Sequence, residues 1–180
     1  PLVFVFDLMQ VSEVVIPHLA IGTSLATIIA TSLSSAKAHL KRGSVDQQLL
    51  KYSIIPTSLG AGFGGLVAGS LSGGVLAMIF GFMAVVVSVR MMIPSKASNE
   101  IDHEPNRFLI GNLTGLTGII SAMVGIGGGA MNVPLMNMMG IKMHQAVGTS
   151  ASMGFVIALP GTIGFIVSGW ENPDLPEFSF

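Results

Sequence analysis

The sequence predicts an all-α fold: a polytopic transmembrane helical bundle with an inverted internal repeat and a Gly-rich broken helix. Three observations support this prediction: an apolar composition, apolar runs long enough to cross a bilayer, and a seven-residue motif that occurs twice. Of the 180 residues, 51% are hydrophobic and 9% are charged, and the mean hydropathy is +0.76. A soluble domain carries about 25% charged residues, so the lipid bilayer is the expected solvent of this chain.

The charge balance and the cysteine count exclude several classes of function. A formal net charge of −1 gives no basis for binding nucleic acid. The lack of cysteine excludes disulfides, thiolate metal sites and cysteine nucleophiles. The sequence therefore predicts no cofactor and no metal site, and it leaves the oligomeric state open.

Five apolar runs have the length of a transmembrane helix, which needs roughly 20 residues. A helix is the open-ended element that can satisfy its own backbone polar groups in lipid. The predicted spans are residues 16–36, 49–69, 73–93, 108–124 and 146–168, with a shorter apolar segment at 126–139.

The basic residues predict an orientation, because Lys and Arg near span ends stay in the cytoplasm. All eight fall on one side, in cytoplasmic loops at 37–51 and 94–107 or next to a span end: Lys37, Lys41, Arg42, Lys51, Arg90, Lys96, Arg107 and Lys142. This arrangement requires residues 126–139 to cross, or nearly cross, the membrane. The other side then carries acidic residues without Lys or Arg: Asp7, Glu13, Glu171, Asp174 and Glu177.

A short motif occurs twice in the chain. Residues 18–24 and 144–150 share five of seven residues at one constant offset, including Gly-Thr-Ser. Under the predicted topology the span after the first copy runs inward and the span after the second runs outward, so the two copies are inverted. Inverted repeats built around interrupted helices are a recurring plan of transporters, with the binding site between the repeats near the midplane.

The two copies divide the chain into a first repeat at 1–106 and a second at 107–180. The chain starts at Pro1 inside an apolar stretch without the basic region of a signal peptide, and we expect residues 1–6 to end an earlier span. Residues 171–178 form a polar stretch broken by prolines, as expected of a loop before a further span. We therefore expect the first repeat to be truncated N-terminally, without its own glycine cluster, and the second to be truncated C-terminally.

A glycine cluster at 125–129 admits three interpretations. Its spacing formally matches a dinucleotide fingerprint, but that motif must follow a strand in a soluble βαβ unit, and here it follows an apolar span. Gly125 and Gly129 also have the GxxxG spacing of close helix packing, as do other glycine pairs in this chain. Three consecutive glycines followed by Pro134 favour the third interpretation, an interrupted helix whose second half begins at the break.

Polar residues inside the predicted spans are candidates for a transport pathway. Hydroxyls form one stripe at helical spacing on residues 16–36: Ser24, Thr27, Thr31 and Ser34. In membrane helices such hydroxyls often bond their own backbone instead. The histidines of the two motif copies, His18 and His144, are candidates for proton coupling, or for polar residues at the mouths of the spans.

These motifs carry a resemblance to a known family. The pattern Gly-x-Gly-Gly-Gly-x-x-x-Val-Pro-Leu at 125–135, followed by Ala-Val-Gly-Thr-Ser at 146–150, resembles the signature of the sulfite exporter TauE/SafE family of permeases. The first motif copy, its hydroxyl-rich helix and the basic loop at 41–46 resemble that family's N-terminal half. The resemblance implies a transporter of about eight spans that moves sulfite, sulfonates or related small oxyanions across the inner membrane.

The predicted binding site follows from the break and the repeat together. Half-helix N-termini offer free N–H groups and a positive dipole end, which bind anions without a charged side chain. We predict that backbone amides near the three glycines hold a small inorganic or organosulfur anion, that four hydroxyls donate to it, and that an asparagine orients it. These residues are Gly127, Gly128, Gly129, Thr149, Ser150, Thr23, Ser24 and Asn132.

Two other classes of protein remain as alternatives. An intramembrane serine hydrolase would use Ser24 or Ser150 with a histidine base, but each histidine lies six residues before its serine and would face another side of the helix. A membrane scaffold or assembly subunit would need only the GxxxG packing, and it would not need the repeated Gly-Thr-Ser. The sequence therefore predicts a transporter without catalytic residues.

Overall fold

The computed structural model describes residue 5, residues 16–92 and residues 106–170, and this part of the chain is helical and contains no strand. Its six helices are α1 (Ile16–Lys41), α2 (Gln47–Ser70), α3 (Gly73–Met92), α4 (Arg107–Val124), α5 (Gly129–Met138) and α6 (Met143–Gly169). The predicted all-α helical bundle is confirmed. The expectations for residues 1–6, apart from residue 5, for most of the 94–107 loop and for the tail after Trp170 lie outside the described residues.

Four of the described helices are long and apolar enough to cross a membrane: α1, α3, α4 and α6. The predicted span at 49–69 is a helix, α2, but it is not among these four. Its inner positions are small or polar, with Ser53, Thr57, Gly60 and Gly64 all buried. A helix whose inner face meets protein does not need apolar residues there, so its average hydropathy is low.

Helix α2 lies between α4 and α6 and runs parallel to both. Along α4, Tyr52 meets Gly111 and Gly64 meets Ile119, so the residue numbers rise together. Along α6, Gly65 meets Gly161 and residue 69 meets residue 168. A Cβ at Gly64 would stand 2.4 Å from the Ile119 carbonyl oxygen. Glycine therefore sets these close helix approaches, as expected of GxxxG spacing.

Helix α1 runs antiparallel to α6. Gly22 near the start of α1 faces Phe165 near the end of α6, and Ser32 faces Gly154 ten residues further along α1. The helices that carry the two Gly-Thr-Ser motifs are therefore oppositely directed, and the motifs lie towards opposite ends of the bundle.

The described basic residues gather at one end of the bundle, which we call the basic end. They lie where α1 and α3 end and where α2, α4 and α6 begin: Lys37, Lys41, Arg42, Lys51, Arg90, Arg107 and Lys142. The loop between α1 and α2 contacts the first turns of α4 and α6 here, through an ion pair of 2.9 Å between Asp46 and Arg107 and a hydrogen bond from the Asp46 amide to Thr149. The basic residues that the structure describes therefore share one end of the bundle.

The glycine cluster interrupts the helical structure between α4 and α5, as predicted. Gly125 caps α4 in the left-handed conformation, with φ of 73°, and Gly128 precedes α5 with φ of 77°. Other residues adopt this conformation at a cost. We call residues 125–128 the glycine break. Helix α5 has 10 residues, about 15 Å, and so covers only half of a hydrocarbon core of about 30 Å.

Candidate functional site

The glycine break lies at mid-height in the bundle. A Cβ at Gly127 would stand 3.1 Å from Ile28, and a Cβ at Gly128 would stand 2.5 Å from Ile157. Both isoleucines are close to the midpoints of their helices, α1 and α6. Helix α5 runs from the break towards the basic end, where Met136 packs with Leu49. The N-terminus of a half-helix therefore lies near the centre of the bundle.

Several backbone amides at the break are free of backbone partners. The amides of Gly125, Ile126 and Gly128 donate to nearby carbonyls. Those of Gly127, Gly129 and Ala130 have no acceptor among the described residues. Apart from the backbone of α5 itself, no atom lies within 4 Å of the position of a Cβ on Gly129, so there is space beside this residue, and both Gly129 and Ala130 are half-buried. A small anion can approach these amides, which also carry the positive end of the helix dipole.

In contrast, three of the four carbonyl oxygens of the break accept hydrogen bonds. The Ser24 hydroxyl donates to the Gly125 carbonyl at 3.0 Å, and the Ser150 hydroxyl donates to the Gly128 carbonyl at 3.5 Å. The Ile126 carbonyl accepts from the Gly128 amide at 2.7 Å. The Gly127 carbonyl lies against α6, 3.3 Å from the position of a Cβ on Gly154. The serine of each motif copy therefore contacts the break and donates a hydrogen bond to one of its carbonyl oxygens.

Asn132 adds a side-chain donor to this site. It is fully buried in the first turns of α5, and its Nδ2 lies 3.0 Å from the position of a Cβ on Gly128. The Thr117 hydroxyl on α4 lies within hydrogen-bond distance of both Asn132 Oδ1 and the Thr114 carbonyl oxygen. The acceptor recorded for Nδ2 is the sulfur of Met153 at 3.9 Å, a weak acceptor. Because an amide nitrogen carries two hydrogens, at least one has no acceptor among the described residues.

The break carries no charged side chain within the described part of the chain. The described carboxylate is Asp46, at the basic end and paired with Arg107. The described lysines and arginines lie at that same end. Only backbone and amide dipoles therefore act on a ligand at the break, and in a low-dielectric interior they act more strongly than in water.

Neither threonine of the motifs makes a hydrogen bond to the break within the described part of the chain. The Thr149 hydroxyl is buried and accepts the Asp46 amide hydrogen at 2.9 Å. A Cβ at Gly148 would stand 2.3 Å from the Ser44 carbonyl oxygen. In the second motif, glycine and threonine therefore hold the α1–α2 loop, and serine contacts the break. The Thr23 hydroxyl, half-buried on α1, has no recorded hydrogen-bond partner in the described residues.

The two motif histidines lie far apart. The Nε2 atom of His18 lies 2.9 Å from the Leu71 carbonyl oxygen, at the turn between α2 and α3. His144 is exposed in the first turn of α6, at the basic end. Neither contacts Ser24 or Ser150 in the described part of the structure. The contacts recorded for both serine hydroxyls are to backbone carbonyls, which do not activate a nucleophile as the hydrolase alternative requires.

Comparison with known proteins identifies the family. The family profile described as "Sulfite exporter TauE/SafE" matches residues 1–176. This chain belongs to the TauE/SafE family. A "Probable membrane transporter protein" of Haemophilus influenzae is 34% identical over 180 residues, covering 99% of this chain and 67% of the relative. The transporter protein YunE of Bacillus subtilis, also named probable, is 27% identical and covered over 70% of its length. No solved structure matches the chain.

Membership of the TauE/SafE family confirms the resemblance read from residues 125–135 and 146–150, and with it a membrane transporter. The structure adds residues that the motifs did not indicate. Thr117 is one of three hydroxyl residues on α4, with Thr114 and Ser121, and no spacing linked it to Asn132. Asp46 stands directly before α2 and accepts a hydrogen bond from the Leu49 amide, which is an N-cap signal that the sequence does contain.

The hydroxyl stripe of α1 divides in the structure. Ser24 faces the break, whereas Thr27 and Thr31 are exposed and donate to carbonyls within their own helix. Their bonds follow the local pattern of hydroxyls in membrane helices. Of the stripe residues, only Ser24 therefore belongs to the candidate site.

Proposed function

We propose that this TauE/SafE chain forms part of a permease for small sulfur-containing oxyanions, such as sulfite or sulfonates. The observation that supports this proposal best is the first turn of α5 at mid-height in the bundle, where the amides of Gly127, Gly129 and Ala130 lack backbone acceptors. The Nδ2 atom of Asn132 lies beside them. Discontinuous helices direct such N-termini at anionic groups of transported substrates.

An uncharged site suits a transported ligand. A permease must release its substrate, and amide dipoles bind an anion more weakly than a buried Lys or Arg does. Placement away from water compensates in part, because the field of the α5 terminus is less screened there. A site of this kind therefore combines selectivity for anions with dissociation.

Transport by alternating access would follow from the arrangement of α1 and α6. These helices run antiparallel, and each contributes one motif serine to the break. We propose that they are the matching helices of an inverted repeat, and that one repeat moves against the other about the fixed break. The basic end then faces the cytoplasm and the protein lies in the inner membrane.

The remaining predicted residues have indirect roles in this proposal. Thr149 positions the α1–α2 loop at the basic end, and Thr23 occupies the matching place in the first motif. His18 and His144 stand at opposite ends of the bundle, where a proton-coupled permease would need groups that exchange protons with each aqueous side. No group at the break performs covalent chemistry in this account, in keeping with a transporter that is not an enzyme.

Uptake by the full-length protein in proteoliposomes tests the proposal. Vesicles preloaded with unlabelled sulfite should exchange it for ³⁵S-sulfite, and excess methanesulfonate should compete. Asn132→Leu should reduce exchange strongly, because it removes the side-chain donor from the site. Thr27→Ala serves as the control, since that exposed hydroxyl bonds only within α1. Exchange at the rate of empty vesicles for every sulfur oxyanion would contradict the proposal and favour a membrane scaffold.

A further inference from the structure

The α1–α2 loop enters the bundle close to the glycine break. A Cβ on Gly148 would collide with the Ser44 carbonyl oxygen, and the Asp46 amide donates to the Thr149 hydroxyl at 2.9 Å. Thr149 directly precedes Ser150, whose hydroxyl lies 3.5 Å from a carbonyl oxygen of the break. Consecutive residues of α6 therefore contact the loop and the break, and the loop lies on the side of the break that faces the basic end.

An apolar cluster extends from the candidate site to this loop. Its six residues come from α2, α4, α5, α6 and the turn before α6, and each is at most 2% exposed: Leu49, Ile110, Met136, Ile141, Ala146 and Met153. On one side the sulfur of Met153 lies 3.9 Å from Nδ2 of Asn132. On the other side the amide of Leu49 donates to Asp46 in the loop. The cluster therefore separates the break from the basic end.

An oxyanion cannot pass through the cluster in this arrangement. Passage would remove water from the anion among side chains that offer it no hydrogen bond. Apolar constrictions of this kind close channels by excluding water. The described structure is therefore closed between the break and the basic end.

We propose that the α1–α2 loop is the gate of the site at the basic end, and that the ion pair between Asp46 and Arg107 keeps this gate closed. The inference rests on the proposed function, because it assigns which side of the proposed site is closed and what opens it. Opening requires the loop to leave the first turns of α4 and α6. The ion pair and the bond to Thr149 then break together, and water reaches the cluster.

The ion pair joins the starts of two helices through one carboxylate. Its atoms lie 2.9 Å apart, and the side chains are 8% exposed for Asp46 and 33% exposed for Arg107. The other oxygen of Asp46 caps α2 through the Leu49 amide. Arg107 stands in the first turn of α4, where a positive charge opposes the helix dipole, and the pairing offsets that opposition. The loop is thereby tied to α4 as well as to α6.

Two substitutions remove the ion pair and leave the helices intact. Asn caps helices as well as Asp does, so Asp46→Asn retains the start of α2 and loses only the charge. Arg107→Gln removes the same pair from the side of α4. Lys51→Gln is the control, because it removes an exposed basic charge at the same end, and the described structure records no ion pair for Lys51.

The test is the reactivity of a cysteine at the break. Ser150→Cys is nearly isosteric and is placed in an otherwise cysteine-free full-length protein. Membrane vesicles of both orientations are treated with a small anionic methanethiosulfonate, and the face on which Lys41→Cys reacts identifies the basic end. From that face Ser150→Cys should react much more slowly than Lys41→Cys. Removal of the ion pair from either side should raise its rate about fivefold.

The double variant completes the comparison. If Asp46 and Arg107 act through one ion pair, the double variant should react no faster than either single variant. Equal rates for Ser150→Cys and Lys41→Cys in the otherwise unchanged protein would overturn the gate, because the break would then be open to the basic end. Unchanged rates in both single variants, or an equal increase in Lys51→Gln, would overturn the role of the ion pair. Should one single variant not fold, the other carries the comparison.

Labelling needs no transport, so the gate and the permease can fail separately. Slow labelling that both variants accelerate, in a protein that exchanges no sulfur oxyanion, would support the gate and contradict the permease. Sulfite exchange by a protein whose labelling does not respond to the variants would contradict the gate alone.

Discussion

The hydroxyl of Ser24 on α1 donates a hydrogen bond of 3.0 Å to the carbonyl of Gly125, where α4 ends. The two residues are 101 positions apart in the chain. The bond satisfies a carbonyl that the end of α4 leaves without a helical partner. It also ties α1 to the break, which Ser150 of α6 contacts at Gly128.

Loss of the Ser24 hydroxyl should destabilise the protein. Ser24→Ala leaves the Gly125 carbonyl without its donor in the bundle interior, at a cost of about 1–3 kcal/mol. Thr27→Ala should cost much less, because Thr27 is exposed and its hydroxyl bonds within α1. The free energy of unfolding of both variants in detergent provides the measurement. Equal losses of stability would show that the Ser24 bond contributes no more than the exposed Thr27 bond does.

The conformation of Gly128 predicts a contrast between neighbouring glycines. Gly128→Ala places a side chain in the left-handed region, at about 1–2 kcal/mol, and 2.5 Å from the end of Ile157. Gly129→Ala meets no atom within 4 Å and stands in the first helical turn. Melting temperatures should fall clearly for the first and little for the second. The reverse order would contradict the described geometry of the break.

Close packing of α2 and α4 predicts a second glycine contrast. A Cβ at Gly64 would stand 2.4 Å from the Ile119 carbonyl oxygen, whereas one at Gly62 would stand 3.7 Å from Pro160. Gly64→Ala therefore forces the helix backbones apart, with an expected loss of about 1–3 kcal/mol from overpacking. Gly62→Ala meets only ordinary contacts. Yield of folded protein and melting temperature should separate the two variants, and similar values would argue against this helix contact.

The contact between Thr149 and the α1–α2 loop predicts a dependence on the hydroxyl acceptor. Thr149→Val removes the oxygen that accepts the Asp46 amide hydrogen at 2.9 Å, and should cost about 1–3 kcal/mol. Thr149→Ser keeps the acceptor and should be close to wild type. Limited proteolysis of the loop at 42–46 measures the local effect. Unchanged cleavage of the valine variant would show that the loop is held by other contacts.

The proposed orientation predicts which residues an external reagent reaches. Residues 1–180 contain no cysteine, so none of them competes with a single introduced cysteine for a thiol-specific label. Lys41 and Ser72 are both exposed and lie at opposite ends of the bundle. In intact cells a membrane-impermeant maleimide should label Ser72→Cys and spare Lys41→Cys until lysis. Labelling of Lys41→Cys alone would place the basic end outside.

Sequence patterns predicted the helices and the break because both depend on local residue types. Apolar runs predicted the four helices that are long enough to cross a membrane, α1, α3, α4 and α6, and the glycine cluster predicted where α4 ends. The observed helix boundaries differ from the predicted span boundaries by a few residues where a capping residue sets the helix end. Helix α2 begins at Gln47, two residues before the predicted span, because Asp46 caps it. These features need no knowledge of distant contacts.

The use of individual hydroxyls could not be predicted, since it depends on which residues meet across the bundle. Ser24 and Ser150 appeared as ligand donors, but their recorded bonds are to the break carbonyls. Thr149 belongs to a loop contact 103 residues away in sequence. Thr117 contacts Asn132 although no pattern joins them. Spacing shows which residues share a helix face, but the partner on the next helix appears only in the fold.

The location of the bound anion tests the central proposal most directly. A structure of the full-length protein with selenate, an analogue of sulfate, can be determined at a wavelength where selenium scatters anomalously, with its methionines left as sulfur. We predict an anomalous peak at the glycine break, within hydrogen-bond distance of the Gly129 and Ala130 amides and of Asn132 Nδ2. A peak confined to the exposed lysines and arginines of the basic end, with none at the break, would contradict the proposal.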